Sequence, residues 1–133
     1  MEKPFEHVFA WDFYDGPESG LAVRNEREVL AFKVLAESDD GMNRAYSFRP
    51  VVDCVLIRSI VRTACAESTG FLPTETEDAI LPYLQPVTMI SVGNSWLTDA
   101  EFAPATQSDV EAMQETGSCE RAYAFVARQN GAG

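Results

Sequence analysis

The chain is poor in the residues on which most enzyme chemistry turns. Its 133 residues include one histidine, His7. Nucleophilic catalysis needs a nucleophile and a base that orients it. Glu6 stands next to His7, but neighbours in a strand point to opposite faces and do not converge, so His7 reads as a surface or edge residue. The three cysteines, Cys54, Cys65 and Cys119, are odd in number and form no CxxC pair. That spacing argues against a zinc site and against a disulfide framework. The apolar surroundings of Cys54 and Cys65 predict buried, reduced thiols that behave as small hydrophobes. No G-x-x-x-x-G-K-[ST] or G-x-G-x-x-G phosphate loop occurs. Asp39-Asp40-Gly41 puts two carboxylates in a turn without the twelve-residue calcium pattern. The expectation is therefore no cofactor and no metal.

Long hydrophobic runs are also missing. The longest apolar stretch, VVDCVLIRSIV, is broken by Asp53 and Arg58, which rules out an ordinary membrane span. The opening residues carry no uncharged apolar run with a small-residue cleavage site, so no signal peptide is read there, and a cytoplasmic location is expected. Cations are absent from residues 71–119. That stretch holds Glu75, Glu77, Asp78, Asp99, Glu101, Asp109, Glu111 and Glu115 and supplies most of a net charge of −11. Residues 43–70 carry Arg44, Arg49, Arg58 and Arg62 against Asp53 and Glu67. The pattern predicts a negative field beside a smaller basic patch, which repels nucleic acid and steers in basic proteins. A plain solubility coat is the alternative reading.

What is present fits one domain over residues 1–128 with a frayed tail at 129–133. A hydrophobic content of 46% supports an ordinary core, and at this length about two-thirds of the unfolded surface can be buried. Short alternating runs predict strands near 8–14, 21–24, 28–35 and 44–49. Asp15-Gly16-Pro17-Glu18-Ser19-Gly20 is read as turn chemistry throughout. At Pro50 the period changes. Pro50 suits a first helical turn and Asp53 its dipole, so a helix is expected over 51–67, with a strand over 51–57 as the alternative. Its apolar face is read as Val52, Val55, Leu56 and Ile60. Ile57, Val61, Ala64 and Cys65 extend it. Capping-box spacings at Thr74/Glu77 and Ser108/Glu111 predict short helices over 75–84 and 108–115. VTMISV at 87–92 and ERAYAFVAR at 120–128 read as strands, with Gly93-Asn94 as a turn. The predicted fold is α+β: an antiparallel meander sheet packed against one main helix, with short additional helices. The expected core contains Phe9, Trp11 or Phe13, Leu30, Phe32, Tyr46 or Phe48, Val55, Leu56, Ile60 and Val61.

The run FYDGPESGLA at 13–22 resembles a family of small bacterial proteins of unassigned function. Their pattern is aromatic-aromatic-Asp-Gly-Pro-x-Ser-Gly-x-Ala, followed by a strand with a buried aromatic, a strand leading into a helix, and a Leu-Pro acidic segment. The parts here are residues 28–35, 46–66 and Leu72-Pro73 with 75–78. The chain departs from that pattern late in the helix, where residues 60–66 hold no aromatic. In size and charge it is also similar to immunity proteins that neutralise secreted toxins.

Two functions from different classes follow. One is a non-enzymatic acidic protein that docks a basic protein partner, of the immunity-inhibitor type, through Glu75, Glu77 and Asp78, with Asp15 in a loop available for binding. The other is a small-ligand or enzymatic pocket between sheet and helix that uses Asp12, Asp15, Arg58 or Tyr46. Arg58 and Arg62, four apart on a helix, form a candidate anion site or pair internally with Glu67 or Glu28. Glu77-Asp78 as paired catalytic carboxylates competes with their service to a helix dipole. The absence of a convincing base favours the binding protein over an enzyme.

Overall fold

The computed structural model describes residues 5–13, 16–24, 28–38, 43–94, 97, 100–114 and 119–131. Six strands form one antiparallel sheet in sequence order: β1 His7–Phe13, β2 Pro17–Arg24, β3 Glu28–Glu37, β4 Asn43–Pro50, β5 Met89–Asn94 and β6 Ala100–Pro104. Four helices accompany them: α1 Val55–Glu67, α2 Glu75–Ile80, α3 Gln107–Gln114 and α4 Cys119–Gln129. A 3-10 turn at Leu81–Tyr83 contains Pro82 and follows α2. The meander and the α+β class match the reading of the sequence.

The two faces of the sheet are buried differently. One face is aromatic and carries none of the described helices. Phe5, Ala22, Leu30, Phe32, Tyr46, Phe48 and Leu97 form its core, flanked by Val34, Met89 and Phe102. Phe5 lies before β1, yet its ring sits 5.5 Å from Phe48 on β4 and 5.6 Å from Phe102 on β6. Strands lie about 4.8 Å apart, so rings from both edges meet only because the sheet curls toward this face. The opposite face carries the helices in two groups. Ile57 and Ala64 of α1 and Ile80 of α2 pack on Phe9, Leu21, Val23, Val29 and Ala31. Val110 and Met113 of α3 and Ala122 and Val126 of α4 pack on Ala45, Ile90, Val92 and Ala103.

Several local expectations are corrected. Pro17–Gly20 belong to β2 rather than to a turn, and Asp15 lies outside the described residues. Gly20 is required by packing: a Cβ there would stand 1.9 Å from the Phe9 carbonyl oxygen. Pro50 ends β4 instead of opening a helix, Val51 bridges Leu84, and α1 starts only at Val55. Asp53 therefore precedes the helix and grips Arg58 with both carboxylate oxygens, at 2.7 and 3.2 Å. The buried stripe of α1 is Ile57 and Ala64, with Ile60 and Val61 half-buried, while Val55 is 79% exposed and Leu56 39%. Trp11 is half-buried and Phe13 exposed; Phe9, Leu30, Phe32, Tyr46 and Phe48 are buried as expected.

Residues 120–128 are helix, not strand: Cys119, Ala122 and Val126 recur at helical spacing and are its buried positions. Gly93-Asn94 continue β5, and β6 had no counterpart in the sequence reading. α3 is capped two residues earlier than Ser108. The Thr106 hydroxyl accepts from the Asp109 amide at 3.2 Å, and the Asp109 carboxylate accepts from the Thr106 amide at 2.8 Å. The Asn130 side chain donates to the Phe102 carbonyl at 2.9 Å, tying the end of α4 to β6. No described helix is long and apolar enough to cross a membrane.

The face of α1 is open to test by urea denaturation. Ile57→Ala should cost about 2–5 kcal/mol, whereas Val55→Ala should stay within about 0.5 kcal/mol. Equal losses at the two positions would return the buried face to Val55.

Candidate functional site

The two helix groups meet the sheet on either side of a cleft of about 420 Å³. Its floor is the middle of the helix-bearing face. There Ser19 on β2 pairs with Lys33 on β3, and Lys33 pairs with Ser47 on β4. Directly opposed residues carry Cβ atoms about 5 Å apart, so a polar row crosses three neighbouring strands. Arg49, two residues past Ser47 and on the same face, adds a guanidinium. Its Nε donates to the Gln85 carbonyl at 2.7 Å, which fixes the side chain and leaves its Nη donors free of that bond.

The walls are mixed. Ile80, Leu81 and Leu84 stand on one side, and Val87 and Val110 on the other, with Gln107 and Gln114 near the rim. Glu77 and Asp78 enter from α2. The Trp11 indole also lines the cleft and donates to Glu77 Oε2 at 3.2 Å. The chain reaches this arrangement through the segment before α2. Ala10 N–H donates to the Gly70 carbonyl at 3.0 Å, and Leu72 N–H donates to the Ala10 carbonyl at 2.8 Å. These bonds cover the open edge of β1 and hang α2 beside it.

The expected site residues are divided by this geometry. Glu77 and Asp78 line the cleft, and Glu75 is exposed on the same helix outside it. Arg58 and Arg62 are exposed on α1 and line no part of the cleft; Arg58 is held by Asp53 rather than by Glu67 or Glu28, and Glu28 pairs instead with Arg24. Tyr46 is on the aromatic face, where its hydroxyl donates to the Pro17 carbonyl at 2.5 Å. Of the alternatives Asp12, Asp15, Arg58 and Tyr46, Asp15 lies outside the described residues and the other three do not line the cleft. A pocket between sheet and helices exists, but with other residues. Ser19, Lys33, Ser47 and Arg49 each look like ordinary strand positions in the sequence and become a group only through register.

Of the basic patch expected over 43–70, Arg58 and Arg62 are exposed and Arg44 is withdrawn. Arg44 is 1% exposed, with Nη1 on the Pro17 carbonyl at 3.0 Å and Nε 3.6 Å from Glu37. Burial pushes the Tyr46 hydroxyl up against the opposing pull of that guanidinium, so the phenol stays a neutral donor. Burial likewise raises the Cys119 thiol, which suppresses thiolate chemistry. All three cysteines are free, Cys54 and Cys65 half-buried. His7 is exposed and stacks on Phe9 at 5.7 Å. It shares a shallow cavity with Cys65, but no hydrogen bond joins imidazole to thiol among the described residues. No group of three metal-ligating side chains occurs among the described residues.

No nucleophile–base pair occurs in the cleft among the described residues. Lys33 stands between two serines, yet it is exposed, and a lysine base must be desolvated. Comparison with known proteins adds no relative: no family model, curated protein or solved structure matches the chain.

A carboxyl cluster lies apart from the cleft. Glu18 on β2 is half-buried, and its pKa is raised by burial first and then by the charge of Asp12 on β1. Glu37 on β3 and a hydrogen bond shared with Asp12 act in the same direction, while Arg44 on β4 opposes them. A carboxyl raised by folding stabilises the fold below its unfolded range and loses that contribution as pH rises through the folded value. The stability difference between the native chain and Glu18→Gln should therefore shift against the native chain from about pH 4 to about pH 6. Thermal melts across that window check it; a flat difference would remove Glu18 from the cluster's proton balance.

Proposed function

We propose that the protein is a binding module and that the cleft between the two helix groups holds its ligand. The observation that carries this reading is the Ser19–Lys33–Ser47 row on the floor of the cleft. Polar groups set into an otherwise apolar sheet face are costly under a packed helix. Here all three line the cleft, Lys33 exposed and the two serines more than nine-tenths buried. Ligand sites are typically concave and mostly apolar, with a few converging polar groups, in a volume of about 300–1,000 Å³. The cleft has this build. Screening a fragment library by amide chemical-shift mapping tests the assignment. Perturbations should gather at residues 19, 33, 47, 49, 77 and 78. Hits that gather elsewhere, with this set silent, would end the reading.

A second reading rests on a separate observation. Glu75, Glu77 and Asp78 are all exposed on the six residues of α2, within a stretch that carries no cation. That supports docking of a basic protein, such as a toxin enzyme of the kind immunity proteins neutralise. Complementary charge acts mainly on the association rate. Reversing all three acids to Lys should slow capture of a partner isolated from cell extract by tenfold or more at low salt (on the order of magnitude of steering effects), with the circular dichroism of the fold unchanged. A partner whose association rate ignores both salt and the reversals would refute it.

A further inference from the structure

The charges of the cleft are sorted by wall. Lys33 and Arg49 rise from the sheet, and Glu77 and Asp78 come from α2. Opposite charges in one small cleft ordinarily close into ion pairs. None of these four does so among the described residues, where the ion pairs are Arg24–Glu28, Arg44–Glu37 and Arg58–Asp53. The Ser19 and Ser47 hydroxyls are likewise bonded to no protein group among the described residues, although both residues are more than nine-tenths buried. The floor thus presents two cations and two hydroxyls, and the facing wall two carboxylates, with an indole and aliphatic side chains between.

Resting on the cleft as the binding site, we infer that its ligand is a small zwitterion with an apolar body: a free amino acid or short peptide. The carboxylate of such a ligand lies on Lys33, Arg49 and the serine hydroxyls. Its ammonium faces Glu77 and Asp78 beside the Trp11 ring. Its side chains lie along Leu84, Val87 and Val110. A simple anion would satisfy the floor and meet repulsion from α2; a simple cation would meet the reverse. A polyanion such as a nucleotide is excluded by the same two carboxylates. Only a ligand carrying both signs meets every charged group in the cleft with its complement, and charge-assisted hydrogen bonds are the strong ones.

Calorimetric titration with leucyl-leucine, its N-acetyl form and its C-terminal amide tests the inference. The free dipeptide should bind, and each cap should weaken binding by roughly tenfold or more, the worth of one hydrogen bond to a charged group. Lys33→Gln should abolish the penalty of the amide and leave that of the acetyl group. Glu77→Gln with Asp78→Asn should do the opposite, and Gln retains an acceptor for the Trp11 indole. Capped and free forms that bind alike, or penalties that survive the substitutions, overturn the zwitterion while leaving the cleft as the binding site. Failure of the dipeptide to bind when fragments still map to residues 19, 33, 47 and 49 also overturns the ligand class alone. Failure of both experiments removes the cleft reading with it.

Discussion

A buried guanidinium sets the shape from which the rest follows. Arg44 is 1% exposed, and a charge so placed is tolerated only when paired and hydrogen-bonded. Its partners sit on β2 and β3: the Pro17 carbonyl at 3.0 Å and Glu37 at 3.6 Å. Tyr46 donates to the same carbonyl from the next turn of the pleat on that face. Both side chains start on β4 and reach over β3 to β2, a span of two strand spacings, about 9.5 Å. Holding that span curls the sheet toward the aromatic face. The curl brings Phe5, Phe48 and Phe102 together and lets six strands bury one face without any of the described helices.

A sheet concave on one side is convex on the other, and this decides where the cleft lies. Helices laid on a convex surface diverge. α1 and α2 pack on β1–β3, α3 and α4 reach from β3 to β6, and the cleft opens where the two groups part. The sequence agrees with that geometry residue by residue. Where a helix lies above, the face carries Leu21, Ala31, Ala45 and Ile90. Along the cleft it carries Ser19, Lys33 and Ser47. Agreement between strand composition and helix placement marks the gap as part of the fold.

The first four strands were legible because their signals are local: alternation along each run, and polar breaks between them. The last helix was legible in principle. Cys119, Ala122 and Val126 repeat at three and four, but Tyr123 and Phe125 add a two-residue alternation that favours a strand, and only burial decides between the periods. In α1, Pro50 and Asp53 point to a helix start at 51, four residues before the observed one, and the apolar run points to a face through Val55 and Leu56. The buried side is set instead by contact with Phe9, Leu21 and Val29, which no local pattern reports. β6 is five residues ending in a proline, too short to announce itself. The candidate site was the least legible part, because Ser19, Lys33 and Ser47 are fourteen residues apart and meet only through two strand registers. Glu77 and Asp78 were visible as acids, but the cations facing them were not.

The distribution of charge follows from the same economy of partners. Four of the described arginines of the first half are engaged within the fold: Arg24 with Glu28, Arg44 with Pro17 and Glu37, Arg49 with Gln85, and Arg58 with Asp53. Each ion pair among them cancels a carboxylate charge along with the guanidinium charge. The acids of α2 have no cation within their own stretch and keep theirs. The field that an approaching molecule meets at α2 is therefore negative, and solvent screens it over about 8 Å. Inside the cleft the sign reverses, because Lys33 and Arg49 stand on the floor. A molecule drawn by its positive end thus arrives with its negative end still to be matched, and Lys33 and Arg49 stand in no ion pair among the described residues.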